Sequence, residues 1–127
     1  MAVLVAAEAN RLLDASWGTA SYTAPTTPMK VALVTVLGTA TTAGTEVTGG
    51  SYARQTITMT SSSSGSNSNT AVINFTNMPA TTVVGIDVYD SNATPRRCWF
   101  GPLATSRTTA AGDTVSFAIG SITSSLT

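Results

Sequence analysis

The sequence has no histidine, one cysteine and no long hydrophobic run. Without histidine, Ser-His and Cys-His nucleophilic pairs and histidine-based zinc sites are excluded. Cys98 has no partner for a disulfide within the chain, and in C-W-F it is predicted to be a small buried hydrophobe in a strand. The longest apolar segment, V-A-L-V-T-V-L, is far shorter than the roughly 18 residues of a membrane-spanning helix. We therefore expect no membrane partner.

Charge is also scarce. Charged residues make up 9% of the chain, against about a quarter in an ordinary soluble domain. Six Lys and Arg residues balance six Asp and Glu residues, which gives little attraction for nucleic acid and little repulsion between copies. The mean hydropathy is +0.22, although no net charge supports solubility. We therefore expect a surface that is largely covered in an assembly, and no nucleic-acid partner.

Length and the first residues bear on organisation. A chain of 127 residues can bury one modest core but not two, so we predict a single domain over residues 1–127. The start M-A-V-L-V-A-A-E-A-N lacks a basic leader, and its acid and amide come too early for a signal peptide. We expect the protein to be made and kept in a cytoplasm.

The pattern along the chain predicts one helix followed by short strands. The helix covers residues 2 to about 16 and stops near Gly18. Its two sides are Val5, Ala9, Leu12, Leu13 and Ser16, and Ala7, Glu8, Asn10, Arg11 and Asp14. The strands lie near 29–36, 52–60, 70–76, 83–89, 97–103, 114–119 and 121–126. This spacing predicts an all-β fold, an antiparallel sandwich or jelly roll over about 29–126, with the amphipathic helix covering one end or edge. The Ser-rich tract 61–69 is predicted to be a flexible hairpin loop.

Arg54 follows a double glycine at 49–50, which can form a sharp turn or a bulge before Tyr52. Period-two alternation places Tyr52 and Arg54 on the face opposite the core. Two interpretations of Arg54 stay open. It is an interface or structural anchor, or it pairs with Asp87 or Glu46 within its own chain.

The strand predicted over 83–89 has the same mixed character. Val84, Ile86 and Val88 share one face, which leaves Asp87 and Tyr89 on the other. Tyr and Arg often dominate protein interfaces because they combine contact area with directed hydrogen bonds. We therefore predict that the non-core face of these strands contacts a partner.

Three further residues are interface candidates. Arg96 and Arg97 form the only basic pair, in the turn S-N-A-T-P-R-R. They are too few for a nucleic-acid patch, so they belong to a solvated turn or anchor a neighbour's carboxylate. Trp17, at the end of the helix, is the tryptophan more expected to face a partner, whereas Trp99 is more expected in the core.

No pattern for catalysis, a metal or a cofactor is present in the sequence. Asp87 and Asp90 are the only acids close to each other, and strand geometry points them to opposite faces. The segment D-V-Y-D-S-N lacks the ligand spacing and the closing Glu of a calcium loop. The segment G-T-A-T-T-A-G-T lacks the Gly-Lys-Ser/Thr of a phosphate cradle and is predicted to be a loop. We expect a non-enzymatic protein with no cofactor.

Several segments together resemble a family of small tailed-bacteriophage virion proteins. They are M-A-V-L-V-A-A-E-A-N-R-L-L-D, Y-T-A-P-T-T-P-M-K-V-A-L, G-T-E-V-T-G-G-S-Y-A-R-Q, D-V-Y-D-S-N-A-T-P-R-R-C-W-F-G-P-L and G-D-T-V-S-F-A-I-G-S-I. The similarity runs from end to end, and the third segment is the most specific. Members are commonly labelled as phage tail fibre or minor tail proteins, and proteins of this size and composition also serve as capsid decoration proteins.

The resemblance implies a virion structural protein assembled in the cytoplasm of a bacterial host. Our leading hypothesis is a decoration, or cement, protein that binds the major capsid protein on the outer capsid surface, self-associating as a homotrimer by analogy. The alternative is a tail component, a fibre, minor tail or baseplate protein, that contacts tail proteins and the host. A carbohydrate-binding module or glycan-degrading enzyme is a third reading, which would call for an exposed row of aromatics or paired acids.

Overall fold

The computed structural model describes residues 1–126, so the domain predicted over 1–127 extends one residue beyond this part. The predicted all-β fold with one short helix is confirmed. The elements are β1 (Val3–Leu4), α1 (Ala6–Ser16), β2 (Met29–Val36), β3 (Thr45–Glu46), β4 (Gln55–Ile57), β5 (Ser66–Ser68), β6 (Ile73–Met78), β7 (Thr81–Tyr89), β8 (Arg97–Thr109), β9 (Asp113–Phe117) and β10 (Thr123–Ser125). Within the described residues, no helix has the length and apolar character to cross a membrane.

A six-stranded antiparallel sheet forms the centre of the fold. Its order is β1-β8-β7-β2-β3, with β4 paired to β2 as well. Strand β2, Met29–Val36, has the bounds predicted from its largely apolar, β-branched sequence. Its residues 31–34 have no exposed surface at all, because both faces of the sheet are covered.

A second layer covers the inner face of this sheet. It consists of two separate pairs, β6 with β9 and β5 with β10. The alternation I-N-F-T-N-M of β6 directs Ile73 and Phe75 inward, where the Phe75 ring stacks on Tyr52 and meets Phe117 edge-on, each with ring centroids 6.1 Å apart. The main members of the resulting core are Val31, Leu33, Ile57, Ile73, Phe75, Met78, Val83, Ile86, Val88, Val115, Phe117 and Ile122. The two layers form the predicted sandwich.

The outer face of the central sheet is covered by segment 37–44 and by α1. Leu37 lies over Gly85, where a Cβ atom would come within 2.6 Å of the leucine Cδ1. The Gly44 amide donates to the Asp87 carboxylate at 2.9 Å, and the Ala6 amide donates to the carbonyl of Ala40 at 2.9 Å. The predicted loop at 38–45 therefore packs on the sheet instead of extending into solvent.

Strand β7 differs from its predicted facing at one residue. Ile86 and Val88 point into the core as expected, but Val83 is buried there in place of Val84. The register against β8 shifts between Val83 and Gly85, and an irregularity of this kind moves the side chains that precede it to the other face.

The Ser-rich tract 61–69 was predicted to be a flexible hairpin loop, but part of it forms a strand. Ser66–Ser68 forms β5, paired with β10. Ser63 and Ser66 exchange backbone hydrogen bonds of 2.9 and 3.1 Å across a turn made by Ser64 and Gly65, both with positive φ. A strand ladder needs only backbone groups, so a segment without apolar side chains can still be held in a sheet.

The helix begins at Ala6 instead of residue 2, because residues 3–4 form the edge strand β1. It ends at Ser16, and Gly18 has a φ of +71°, in agreement with the predicted stop. The predicted facing is wrong at Glu8 and Leu13, and Ser16, assigned to the apolar side, is exposed as well. Glu8, assigned to the polar side, is 1% exposed, whereas Leu13, assigned to the apolar side, is 59% exposed.

Candidate functional site: ion-pair clusters and the exposed helix end

The double glycine forms a turn that packs against the connection between β6 and β7. Gly49 and Gly50 both have positive φ, and a Cβ on Gly50 would lie 2.8 Å from the Asn77 carbonyl oxygen. The Ser51 amide donates to that same oxygen at 3.2 Å, and the Asn77 side chain donates to the Ser51 hydroxyl at 2.8 Å. Glycine is required here because no other residue allows both this φ and this approach.

Beyond this turn, Arg54 lies on the outer side of the sheet. Its Nε and Nη2 atoms donate to the two carboxylate oxygens of Glu46 at 3.0 and 2.9 Å. Its guanidinium carbon lies 4.0 Å from the centroid of the Tyr89 ring. Of the two partners considered for Arg54, the structure selects Glu46. Burial raises the pKa of Glu46, but the hydrogen bonds from Arg54 and Tyr52 outweigh it and hold this pKa below its usual value.

Tyr52 was predicted to face away from the core, and this is wrong. The strand begins only at Gln55, so its alternation does not extend back to Tyr52, whose ring packs on Phe75. The hydroxyl accepts from the Leu33 amide at 2.9 Å and donates to Glu46 at 2.8 Å. Burial, followed by the neighbouring Glu46 carboxylate, raises the pKa of Tyr52 well above its usual value, so the phenol stays protonated.

A second ion pair lies on the outer face at strands β7 and β8, and strand β2 separates it from Glu46 on β3. Asp87 is 1% exposed and accepts from Arg97 Nη2 at 2.8 Å and from the Gly44 amide at 2.9 Å. Arg97 also donates to the Thr39 carbonyl at 2.7 Å and lies over the ring of Phe100. This pair fastens segment 37–44 to the central sheet.

The third cluster joins α1 to the sheet. Glu8 accepts from Arg11 at 3.0 Å, from Arg96 at 3.0 Å and from the Tyr22 hydroxyl at 2.5 Å. Arg96 also donates to the carbonyl of Thr23 at 3.0 Å. Burial, and then the hydrogen bond to Glu8, raises the pKa of Tyr22 to about 12. The helix is therefore attached through a buried carboxylate as well as through Val5.

These contacts change the interpretation of the basic pair. The side chains of Arg96 and Arg97 are 19% and 12% exposed, so neither belongs to a solvated turn. Because the two arginines are adjacent in the chain, their side chains point in different directions, and each joins a different cluster. The outer face brings together Arg54, Tyr89, Arg97 and Asp87. Arg96 instead helps to attach the helix, and Trp17 lies apart from both groups.

Three contributing residues, Glu8, Tyr22 and Asp90, and the segment 37–44 were not among the site candidates predicted from the sequence. An ion pair of Glu8 could have been predicted from the sequence, because Arg11 follows it at the i+3 spacing of a helical ion pair. Tyr22 and the segment 37–44 had no such signal, since their partners Glu8 and Asp87 lie far away in the sequence. Asp90 has two partners nearby, Asn92 and Arg96, but its partner Thr26 is 64 residues away.

Asp90 organises the turn between β7 and β8. Its carboxylate accepts from the backbone amides of Thr26 at 3.1 Å, Asn92 at 3.2 Å and Arg96 at 2.7 Å. Burial raises the pKa of Asp90, but these three amides outweigh it, and the pKa lies below its usual 3.8.

The lowered pKa values of Asp90 and Glu46 predict that acid destabilises the protein. A carboxyl with a lowered pKa in the folded state contributes stability above its unfolded pKa, and this contribution is lost as the pH falls through the folded value. We expect the Tm to fall as the pH is lowered from about 5 to about 3. Asp90→Asn should show a lower Tm at neutral pH and a flatter decline. Equal slopes for the variant and the wild type would contradict a charge-dependent role of Asp90.

Substitution of Arg54 tests the outer-face pair. Because both side chains are about one-third exposed, Arg54→Ala is expected to lower the free energy of unfolding by only about 1 kcal/mol. Urea denaturation measures this loss, and Lys30→Ala, which removes a hydrogen bond of 3.0 Å to Thr56, is the matched control. A loss above about 3 kcal/mol would contradict a solvent-screened pair.

The end of α1 leaves apolar side chains exposed. Trp17 is 84% exposed and Leu13, one turn earlier, is 59% exposed. Beside them lies a groove of about 500 Å³ lined by Leu4, Leu12, Leu13 and Leu126, among others. We refer to Leu13, Trp17 and this groove as the helix-end patch. Large aromatic and aliphatic side chains in such a patch are typical of a contact surface.

Within residues 1–126, no group of three or more His, Cys, Asp or Glu side chains could hold a metal ion. Most of the ionised side chains instead join elements of the fold. Four ion pairs engage Glu8, Arg11, Glu46, Arg54, Asp87, Arg96 and Arg97. The fold is thus a β-sandwich whose charged side chains mostly pair with one another and whose helix end exposes apolar side chains. These are features of a structural protein that packs against neighbours.

The chain belongs to a bacteriophage protein family. The family described as Podophage GP4 fiber I protein gp80 matches residues 4–125. The protein is therefore a virion structural protein of a phage, as the resemblance in the sequence implied. Between the two roles considered, a fibre family favours the tail-fibre alternative over capsid decoration. No curated protein is significantly similar to the chain.

Proposed function

We propose that this protein is a non-enzymatic component of a phage tail fibre. The match of residues 4–125 to a podophage fibre family carries the proposal. The structure supports a packing role in two ways. The buried ion pairs fix the loops and the helix on the sandwich, and the helix-end patch leaves apolar surface for a neighbour. A rigid unit with a preformed contact surface loses little conformational entropy on assembly.

The neighbour at the helix-end patch is proposed to be a second copy of this chain. A formal net charge of zero removes repulsion between copies, and Trp17 offers the largest exposed apolar side chain. The outer-face residues Arg54 and Tyr89, both partly exposed, are proposed as a second contact. A homotrimer stays our prediction for the number of copies.

Virions provide the test of location. Antibody to the purified protein, labelled with gold and viewed by electron microscopy, is expected to mark fibres. Quantitative mass spectrometry is expected to give a copy number at least an order of magnitude below that of the major capsid protein. Label spread over the capsid, with a copy number similar to that of the capsid protein, would reject the fibre proposal and support decoration of the capsid surface.

Substitution of the helix-end patch tests self-association. Leu13→Ser combined with Trp17→Ser is expected to shift the protein toward monomer at micromolar concentration, with Tm changed little because both side chains are exposed. Sedimentation velocity measures the shift. Val72→Ser is the control, since Val72 is a similarly exposed aliphatic residue outside the patch. If the double variant sediments as the wild type does, the patch is not the contact between copies.

A further inference from the structure

A second feature of the surface is a cleft between the Ser-rich tract and the last strand. Its volume is about 170 Å³. The polar lining comes from Ser62, Ser66 and Asn67 on one side and from Ser124 and Ser125 on the other, and Trp99 is the aromatic residue in the wall. None of the lining residues within the described part of the chain, 1–126, is charged.

The backbone holds the two polar walls together. Strands β5 and β10 pair with Ser124 opposite Asn67 and Ser125 opposite Ser66. The Ser124 hydroxyl donates to Asn67 Oδ1, and the Leu126 amide donates to the Gly65 carbonyl at 2.7 Å. The cleft is therefore formed before any ligand arrives, which lowers the entropy cost of binding.

Trp99 is fixed from behind by the core. It packs against the core cluster and borders a second, apolar cavity of about 80 Å³ that includes Ile57, Val88 and Ile122. The indole thus has one side in apolar surroundings, while its partly exposed side borders the hydroxyl-lined cleft. An aromatic side chain with a large apolar body and a polar N–H suits a ligand that is apolar on one face and hydroxylated at its edges.

We propose that this cleft binds a neutral saccharide, with one sugar ring against Trp99 and its hydroxyls bonded to the serine and asparagine side chains. Hydroxyl and amide groups both donate and accept hydrogen bonds, as sugar hydroxyls require. A phosphate-bearing ligand would need cations that the lining lacks. A drug-sized apolar ligand would need a larger pocket, usually 300–1,000 Å³. The volume of about 170 Å³ fits one sugar unit at the end of a glycan.

This inference rests on the proposed function in one respect, because a fibre protein is the virion part that would meet glycans on a host cell. The binding test uses the purified full chain and does not depend on its location in the virion. If the protein proves to be a capsid protein, the cleft can still bind sugar, and a failed binding test leaves the fibre proposal intact.

The two tryptophans provide an internal control. In protein labelled with ¹⁵N-tryptophan, NMR resolves one indole signal for Trp99 and one for Trp17, which lies outside the cleft. Glucose, galactose, N-acetylglucosamine and rhamnose are each added to about 100 mM, enough to fill a site with a Kd of about 10 mM. A saturable shift of the Trp99 signal with at least one sugar, while the Trp17 signal stays in place, is expected. The absence of a Trp99 shift with all four, or equal shifts of both signals, overturns the proposal.

Variants localise the effect. Trp99→Phe is expected to weaken binding by about tenfold, since the smaller ring loses part of the stacking contact. Because Trp99 also packs on the core, Ser62→Ala with Ser125→Ala is a second variant that removes two exposed hydroxyls without disturbing the core. Ser106→Ala, an exposed serine in the same strand as Trp99 but outside the cleft, is the control and should bind as the wild type. Unchanged affinity in the double serine variant would overturn the assignment of the cleft.

Discussion

Replacement of Asp87 by alanine is expected to lower the free energy of unfolding by about 3–5 kcal/mol. Asp87 is almost completely buried, and its carboxylate is 2.8 Å from Arg97 and 2.9 Å from the Gly44 amide. Its removal leaves a guanidinium with little access to water and without a counter-charge, and it releases segment 37–44 from the sheet. Guanidinium chloride denaturation at matched protein concentration measures the loss.

Two comparisons test the cause of this loss. Asp14→Ala removes an exposed acid from the helix and is expected to change stability by no more than about 0.5 kcal/mol. Adding Arg97→Met to Asp87→Ala should recover part of the loss, because the unpaired buried cation is then also removed. A loss below about 1 kcal/mol for Asp87→Ala alone would mean that water or a rearranged loop already satisfies Arg97.

The second large effect is expected in the core. Phe75→Ala should cost about 3–5 kcal/mol, because the ring is 2% exposed and contacts aromatic rings from both layers of the sandwich. Tyr52 is held by its hydroxyl bonds to Leu33 and Glu46, and Phe117 by the pairing of β9 with β6, so neither ring can simply fill the vacated space. Phe75→Leu should cost less, about 1.5 kcal/mol, since most of the volume remains.

The measurement is again chemical denaturation, with Val72→Ala as the control. Val72 is half exposed and lies three residues from Phe75, so its truncation is expected to cost less than about 0.5 kcal/mol. Similar losses for Phe75→Ala and Val72→Ala would show that the two layers are not joined through this ring.

The fold was predictable where burial shapes the sequence pattern. The middle of strand β2, residues 31–34, is buried on both faces and is continuously apolar, so the strand could be predicted. The second layer was harder. Strand β5 consists of serine and asparagine, and it exists because β10, more than 50 residues later, supplies backbone partners. The local sequence of the tract contains no pattern from which so distant a partner could be predicted.

The site was predictable in residue type but not in pairing. Arg54, Asp87 and Arg97 were singled out because charges are rare in this chain. Which carboxylate pairs with which guanidinium depends on strand order, and the sequence does not reveal that order. Glu8 was placed on the wrong side of the helix for the same reason, since Arg96, its distant partner, makes burial of the acid tolerable.

The ion pairs within the protein affect how strongly its stability depends on the ionic strength of its surroundings. Among residues 1–126, four pairs engage seven of the twelve charged residues, and the pairs Arg96–Glu8 and Arg97–Asp87 have little contact with water. Dissolved ions weaken attraction between exposed charges over about 10 Å at 0.1 M ionic strength, but they screen buried pairs much less. The attachment of α1 and of segment 37–44 to the sheet should therefore change little between dilute fresh water and brine.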